Sequence, residues 1–184
     1  MVKLQMADKL FKKKVYIGIV LLGLITACSS GSQLKGSTGL GKPISEEQIQ
    51  AWNIDVNSSG VGLPAGSGSV ASGELIYQQQ CSSCHGVQGQ GGVANKLAGG
   101  GGLNTSNPVK TIGSYWPYAT TVFDYIRRAM PHNAPQSLSN DQVYALTAYI
   151  LYLNQIISKN DLINAQTLPL IKMPNKDGFI PIER

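Results

Sequence analysis

Cysteine, histidine and charged residues are all scarce in this chain. It contains three cysteines and two histidines in 184 residues, and 14% of its residues are charged. A structural zinc site takes four ligands, mostly cysteine and histidine, so the chain could build at most one site of that kind. The sequence also lacks an internal repeat, and no stretch has a strand pattern as strong as its helical patterns.

Positive charge is concentrated at the N-terminus. Residues 1–27 contain five lysines and one aspartate, whereas the rest of the chain has ten basic and nine acidic side chains. Nucleic-acid binding needs a concentrated basic face. The nearly neutral remainder therefore argues against a nucleic-acid partner, and the net charge of +5 belongs mostly to the first residues.

A long apolar run is also missing. The run Val15–Ala27 has 13 residues, short of the roughly 20 that a membrane-spanning helix needs. It follows the basic stretch KLFKKK, an order typical of a secretory signal. The run ends in LITACSS, where Leu24 to Cys28 resembles a bacterial lipobox. That resemblance implies cleavage before Cys28 and lipidation of its side chain; the alternative is an uncleaved anchor with an incidental cysteine.

The signal also predicts the compartment. Export places the two remaining cysteines, Cys81 and Cys84, in an oxidising extracytoplasmic space. Ser29, rather than aspartate, follows the lipidated residue, which resembles the outer-membrane default of Gram-negative lipoproteins. We therefore expect a periplasm-facing membrane lipoprotein, with the outer membrane favoured.

Composition divides the chain into five segments. The compact domain is predicted where helical periodicity is strongest, and the tail has three prolines that favour an extended segment on a surface. The predicted segments are a signal peptide at 1–27, a flexible Ser/Gly-rich tether at 28–43, an N-terminal extension at 44–69, the compact domain at 70–155 and an extended C-terminal tail at 156–184.

Four helices are predicted from periodicity and end signals. Ser45 with Gln48, and Ser139 with Gln142, have the spacing of a capping box. Pro117 stands at a first helical position, where proline is tolerated. The predicted helices are 46–52, Gly73–Gln80, Pro117–Ala129 and Ser139–Leu153.

The stretch YQQQCSSCHG places Cys81, Cys84 and His85 together. A thioredoxin-like redox pair would sit in a βαβ setting, for which there is no parallel-strand pattern. A zinc site would need the adjacent Cys84 and His85 to point at one metal, with His132 far along the chain. Covalent haem attachment uses all three neighbours, because both sulfurs bond to haem vinyl groups and the imidazole ligates the iron. The motif therefore predicts one covalently attached haem c.

The sixth iron ligand decides the function. A closed iron transfers electrons, whereas an open position binds small molecules or supports oxygen and peroxide chemistry. Met130 continues the apolar face of its helix, and Pro131 ends that helix, so Met130 is the predicted ligand. Met173 and His132 are the alternatives, and a methionine on an apolar face is often core packing.

The order of helix, CxxCH, loop, Met-Pro and C-terminal helix resembles class I cytochrome c. In that family an N-terminal helix with a glycine crosses a C-terminal helix with an aromatic residue, and Gly73, Tyr77 and Tyr149 match this pattern. The resemblance implies an all-α fold of three main helices around a covalent haem, with His85 and Met130 on the iron. The chain departs from the family where Asn95 and Lys96 precede the leucine of the haem loop, because many members have proline there. The Asn95 carbonyl could still accept a hydrogen bond from His85.

A narrower resemblance covers roughly residues 44–180. The segment YWPYATTVFDYIRRAMP and the tail stretch MPNKDGF are similar to cytochrome subunits of sulfur-oxidising dehydrogenases. This implies a subunit that accepts electrons from a molybdenum sulfite or sulfane dehydrogenase and passes them to a downstream acceptor, without a substrate of its own. The alternative is a haem enzyme or small-ligand-binding haem protein with a labile sixth ligand. Four side chains are candidates for haem propionates, namely Tyr115, Trp116, Arg127 and Arg128.

Overall fold

The computed structural model describes residues 41–180, so the predicted signal peptide, Cys28 and nearly all of the tether lie outside the described residues. From Ser45 onward the described residues form one compact unit. No helix within 41–180 combines the length and apolarity needed to cross a membrane. The elements are α1 Glu46–Trp52, β1 Ser67–Ser69, α2 Val70–Gln80, α3 Ser82–His85, α4 Ile112–Tyr115, α5 Ala119–Ala129, α6 Asn140–Leu153, β2 Leu162–Asn164 and a 3₁₀ turn at Leu168–Leu170.

The predicted capping boxes are confirmed. Ser45 caps α1 and Ser139 caps α6, each with the reciprocal glutamine contact. Helix α2 begins three residues earlier than predicted, because Ser69 caps it through a box with Ser72 that the sequence reading missed. These local hydrogen bonds satisfy backbone N–H groups that a helix start otherwise leaves unpaired.

Helix α5 begins two residues later than predicted. Tyr118, its N-cap, has an extended backbone with φ −136° and ψ 134°. The same residue forms an isolated antiparallel β-bridge with Lys172 of the tail. This pairing across the chain holds Tyr118 outside the helix, so Pro117 precedes the helix instead of opening it.

Helix α6 is the centre of the fold. Every residue from Val143 to Leu151 is buried, and a helix that is covered on all sides is a core helix. Helix α2 crosses it closely at Gly73, where an added Cβ would overlap the carbonyl oxygen of Ala145 and lie 2.9 Å from Tyr149 Cβ. The rings of Tyr77 and Tyr149 pack beside this crossing with centroids 5.2 Å apart.

Helix α5 packs on another side of α6. The Phe123 and Tyr144 rings lie 4.4 Å apart between their centroids, and Val122 and Ile126 are buried in the same cluster. The apolar face predicted for this helix is confirmed for its buried residues, whereas Met130 at its end is only partly buried.

The tail is more structured than its sequence suggests. Strand β2 pairs antiparallel with β1, with Gly68 opposite Ile163. The sequence pattern predicts no strand, because two three-residue strands are too short to show an alternation. Ile163, Leu168 and Met173 are buried in the same core as the helices. The tail therefore contributes to the core and does not simply lie on a surface.

The segment before β1 is held by α5. Asp124 is buried, and its Oδ1 accepts a hydrogen bond of 3.1 Å from the Val56 N–H. Arg127 donates to the Ile54 carbonyl at 3.2 Å, and Arg128 forms an ion pair of 2.5 Å with Asp55. Both arginines therefore fasten the N-terminal extension to the helix.

Candidate haem site

The CxxCH motif occupies a single helical turn directly after α2. The Cys81 N–H still donates to the Tyr77 carbonyl at 2.9 Å, and the His85 N–H donates to the Cys81 carbonyl at 3.0 Å. The turn thus continues from a helix that is itself clamped against α6 at Gly73. Its position is set by the helix crossing, which gives the two sulfurs and the imidazole a rigid base.

A cavity of about 900 Å³ opens beside this turn. Cofactor pockets of proteins are concave, mainly apolar and about 300–1,000 Å³ in volume. The cavity brings together Cys81, Cys84 and His85 with Met130 from the end of α5. Its apolar wall consists of Leu97, Ile112, Val122, Ile126, Leu146 and Ile150.

His85 is oriented by the loop that follows it. Its Nδ1 lies 2.9 Å from the Asn95 carbonyl oxygen. A carbonyl oxygen only accepts, so Nδ1 carries the proton and Nε2 is left free to ligate a metal. The prediction that the Asn95 carbonyl could replace the usual proline carbonyl is therefore confirmed as a hydrogen bond.

The loop after His85 is folded back on the motif by backbone hydrogen bonds. The Gly91 N–H donates to the His85 carbonyl at 2.8 Å, and the Ala94 N–H donates to the Cys84 carbonyl at 3.0 Å. Gly86 has φ +79°, a conformation that favours glycine. Its carbonyl accepts a 2.8 Å hydrogen bond from the Tyr77 hydroxyl. Helix α2 and the loop thus hold the histidine from both sides.

The three candidate sixth ligands lie in different surroundings. Met130 is the C-cap of α5, where the chain turns extended, and it lines the cavity. His132 lines the same cavity but is exposed, whereas Met173 is buried in the core and does not line the cavity. The arrangement favours Met130, leaves His132 within the same cavity and argues against Met173.

The cavity lining also distinguishes between the two aromatic candidates for propionate contacts. Trp116 lines the cavity and packs edge-on against Tyr125, with ring centroids 5.6 Å apart. Tyr115 does not line the cavity, and its ring contacts Phe179 instead. Sequence reasoning missed Tyr125, although it lies one helical turn after Val122, because a half-exposed tyrosine does not belong to a buried stripe.

Burial raises the pKa of the Cys81 thiol to about 11, with a further contribution from Cys84. The thiol of the free chain is therefore neutral at pH 7. Within residues 41–180, no three His, Cys, Asp or Glu side chains form a cluster that could hold a metal.

The comparisons with known proteins agree with this site. The model of the family described as cytochrome c oxidase, cbb3-type, subunit III matches residues 68–150. The crystal structure of the sulfane dehydrogenase SoxCD from Paracoccus pantotrophus contains a similar chain, with a TM-score of 0.74 and 43% sequence identity. The similarity covers 79% of this chain and 73% of that chain. No curated protein matched the sequence.

The fold, the CxxCH turn and these similarities define the class of protein. The chain belongs to the class I cytochromes c, and it is an electron-transfer protein that carries covalently bound haem c. More narrowly, it resembles a chain of a sulfur-oxidising dehydrogenase, as the segment YWPYATTVFDYIRRAMP suggested. The cavity fits this cofactor, because it joins two thiols, a histidine with a free Nε2 and a thioether within an apolar wall.

Proposed function

We propose that this cytochrome is the haem subunit that accepts single electrons from a molybdenum sulfite or sulfane dehydrogenase and passes them to a downstream acceptor. The observation that carries this proposal is that one cavity is lined both by the CxxCH turn and by Met130. Two protein ligands close an iron to substrates, which suits electron transfer better than catalysis.

Each residue of the site has a proposed role. Cys81 and Cys84 would form the two thioether bonds to the haem, and His85 and Met130 would ligate its iron. When bound, haem supplies one-electron redox chemistry at its iron. The Asn95 carbonyl holds the imidazole in one tautomer and orientation. The apolar wall excludes water, and together with a thioether ligand it favours a high reduction potential.

The proposed donor rests on similarity. The similar chain occurs in the crystal structure of a sulfane dehydrogenase, and the 43% identity extends over 79% of this chain. The sequence resemblance includes both sulfite- and sulfane-oxidising complexes, so both donors stay in the proposal. Reduction of the holo-cytochrome by each purified dehydrogenase with its own substrate would separate the two donors.

We also propose that Cys28 carries the lipid anchor and that the domain faces the periplasm, with the outer membrane favoured. The support is the lipobox-like LITAC sequence after a basic and apolar leader, with Ser29 next. Three acyl chains would hold the protein far more firmly than one. Mass spectrometry of the mature N-terminus checks this, and Cys28→Ser should release the holo-protein from membranes.

The ferric optical spectrum tests the ligand assignment. Methionine ligation produces a weak sulfur-to-iron charge-transfer band in the red, and Met130→Ala should abolish it. Met173→Ala is the matched control, because Met173 is a buried methionine that does not line the cavity. It should cost stability, about 2–5 kcal/mol for a core methionine, while the band persists.

The alternative function predicts a different spectrum. A wild-type protein with high-spin ferric iron and no charge-transfer band would have an open site, and small-ligand binding or peroxide chemistry would replace electron transfer. A low-spin spectrum that changes with His132→Ala and not with Met130→Ala would instead assign the sixth position to His132.

A further inference from the structure

A short segment of the N-terminal extension lies along α5 and is bonded to both ends of that helix. We call this segment, residues 54–58, the strap. At the start of the helix, the Thr120 hydroxyl donates to the Ser58 carbonyl at 3.3 Å. Near the end of the helix, the strap is contacted by three charged side chains, those of Asp124, Arg127 and Arg128.

Asp124 is at the centre of these contacts. Its side chain is only 10% exposed, and both of its oxygens have partners. Oδ1 accepts a 3.1 Å hydrogen bond from the Val56 N–H, and Oδ2 forms an ion pair with the Arg128 guanidinium. A buried carboxylate is costly unless it is paired and hydrogen-bonded. The strap and Arg128 together therefore supply the partners that a charge at this position requires.

Arg128 connects the same carboxylate to the outer edge of the strap. Its Nη1 lies 2.5 Å from Oδ1 of Asp55, and the neighbouring Arg127 donates to the Ile54 carbonyl at 3.2 Å. The side chains of Arg128 and Asp55 are 45% and 73% exposed, so water screens this outer pair and it contributes little by itself. The attachment of the last two turns of α5 to the strap therefore depends mainly on the buried Asp124.

The end of α5 determines where Met130 lies. The Met130 N–H donates to the Ile126 carbonyl at 3.0 Å, and within the described segment 131–138 the backbone gives one such bond, from Ala134 to Pro131. Arg128 stands two residues and Asp124 six residues before Met130, which correspond to about 3 Å and 9 Å along a helix axis. The support of Met130 therefore comes mainly from the helix before it.

Two faces of α5 are held by different parts of the chain. Val122, Phe123 and Ile126 belong to the buried core, and the Phe123 ring packs on Tyr144 of α6. The residues that bond to the strap share the opposite face, since they follow one another at spacings of three and four. Helix ends fray when they lack tertiary contacts. Without the strap, the last turn would be held by its apolar face alone.

We propose that Asp124 is a positioning residue for the sixth iron ligand. Through Val56 and Arg128 it joins the strap to the last two turns of α5, and in this way it keeps the Met130 thioether in place for the haem iron. This inference rests on the proposed ligation by Met130. It assigns the N-terminal extension a part in the redox site, although residues 54–58 do not line the cavity.

Binding of imidazole to the ferric holo-protein measures how firmly Met130 is held. Imidazole can occupy the iron only after a protein ligand has left, so the binding rate at saturating imidazole reports the departure of Met130. Asp124→Asn keeps the shape of the side chain and removes its charge. It should raise this rate about tenfold or more, the factor expected for one charge-assisted hydrogen bond. The reduction potential should fall as well, because a methionine ligand raises it.

A second variant and a matched control accompany this measurement. Arg128→Met keeps an apolar stem at a half-exposed position and should also raise the imidazole rate. Thr120→Val is the control, because Thr120 is buried on the same helix and bonds the same strap, but at the end far from Met130. It should lower the free energy of unfolding and leave the imidazole rate unchanged.

Two results would overturn the inference. One is a wild-type imidazole rate in Asp124→Asn, or in Arg128→Met should the first variant not fold. The other is an equal rise of the rate in Thr120→Val, which would mean that general loosening of the strap releases the ligand. Failure of the proposed ligation is seen separately, since the wild-type ferric spectrum would then lack the charge-transfer band that Met130→Ala should abolish.

Discussion

The two sides of the cavity are held in different ways. On the side of His85, the ring is hydrogen-bonded to Asn95, and the loop after it is tied to the motif by backbone hydrogen bonds. On the side of Met130, the described segment 131–138 has one backbone donor in such a bond, from Ala134 to Pro131. The His85 side, called proximal below, is therefore built into the fold, whereas Met130 on the other side, called distal below, is followed by a loop with little backbone support.

The largest expected effect comes from removing both attachment points on the proximal side. Cys81→Ala/Cys84→Ala should abolish covalent haem and leave the apo-domain largely unfolded, because the core is built around the cavity and a small domain buries little apolar area alone. Circular dichroism during thermal melting checks this. The Cys28→Ser variant keeps both attachment cysteines and should fold normally. A compact double variant that melts cooperatively would contradict the prediction.

The second largest effect concerns the crossing of α2 and α6, which supports the CxxCH turn. Gly73→Ala would place a methyl group against the Ala145 carbonyl and beside Tyr149, which should cost about 1–3 kcal/mol or more of unfolding free energy. Denaturant unfolding of the holo-protein measures this loss. Gly101→Ala is a matched control, because a Cβ there meets nothing within 4 Å. If Gly73→Ala and Gly101→Ala were equally stable, helices α2 and α6 could move apart without a loss of stability.

A smaller effect distinguishes the two loops directly. Amides at 91, 94 and 97 donate backbone hydrogen bonds, whereas most amides of 132–138 do not. We expect hydrogen exchange in the distal segment to be about tenfold faster or more than at these proximal amides. Exchange of the holo-protein followed by mass spectrometry or NMR tests this. If both loops were equally protected from hydrogen exchange, the two sides of the cavity would not differ in backbone support.

The smallest effect is a dependence of stability on alkaline pH. Burial is the main cause that raises the pKa of Tyr77 to about 12, from an ordinary value of 10. The unfolded chain ionises this group first, so its contribution to stability is complete below about pH 10 and is lost as the pH rises towards 12.

Tyr77→Phe tests that dependence. The variant lacks the hydrogen bond to the Gly86 carbonyl, so its free energy of unfolding at pH 7 should be lower by about 1 kcal/mol. Between pH 10 and 12 its free energy of unfolding should fall less steeply than that of the wild type. Tyr144→Phe is a comparison, because burial also raises the Tyr144 pKa but its hydroxyl bonds the Pro64 carbonyl away from the site. If the stability of Tyr77→Phe fell as steeply with pH as that of the wild type, the alkaline dependence would not come from Tyr77.

Local signals predicted much of this structure. The two capping boxes, the helix over Asn140–Leu153 and the CxxCH turn each depend on residues within a few positions of one another. The role of the Asn95 carbonyl was also within reach, because the loop between His85 and Asn95 is short. The start of α5 was misplaced because Tyr118 pairs with Lys172, which lies far along the chain.

The sequence by itself determined the class of protein and its cofactor, because haem attachment requires three neighbouring residues whose spacing can be read directly. Tertiary structure decided which distant residues share the cavity. It placed Met130 and His132 in its lining, buried Met173 in the core and turned Arg127 and Arg128 towards the N-terminal extension. These outcomes depend on packing between segments far apart in the chain, for which no local pattern exists.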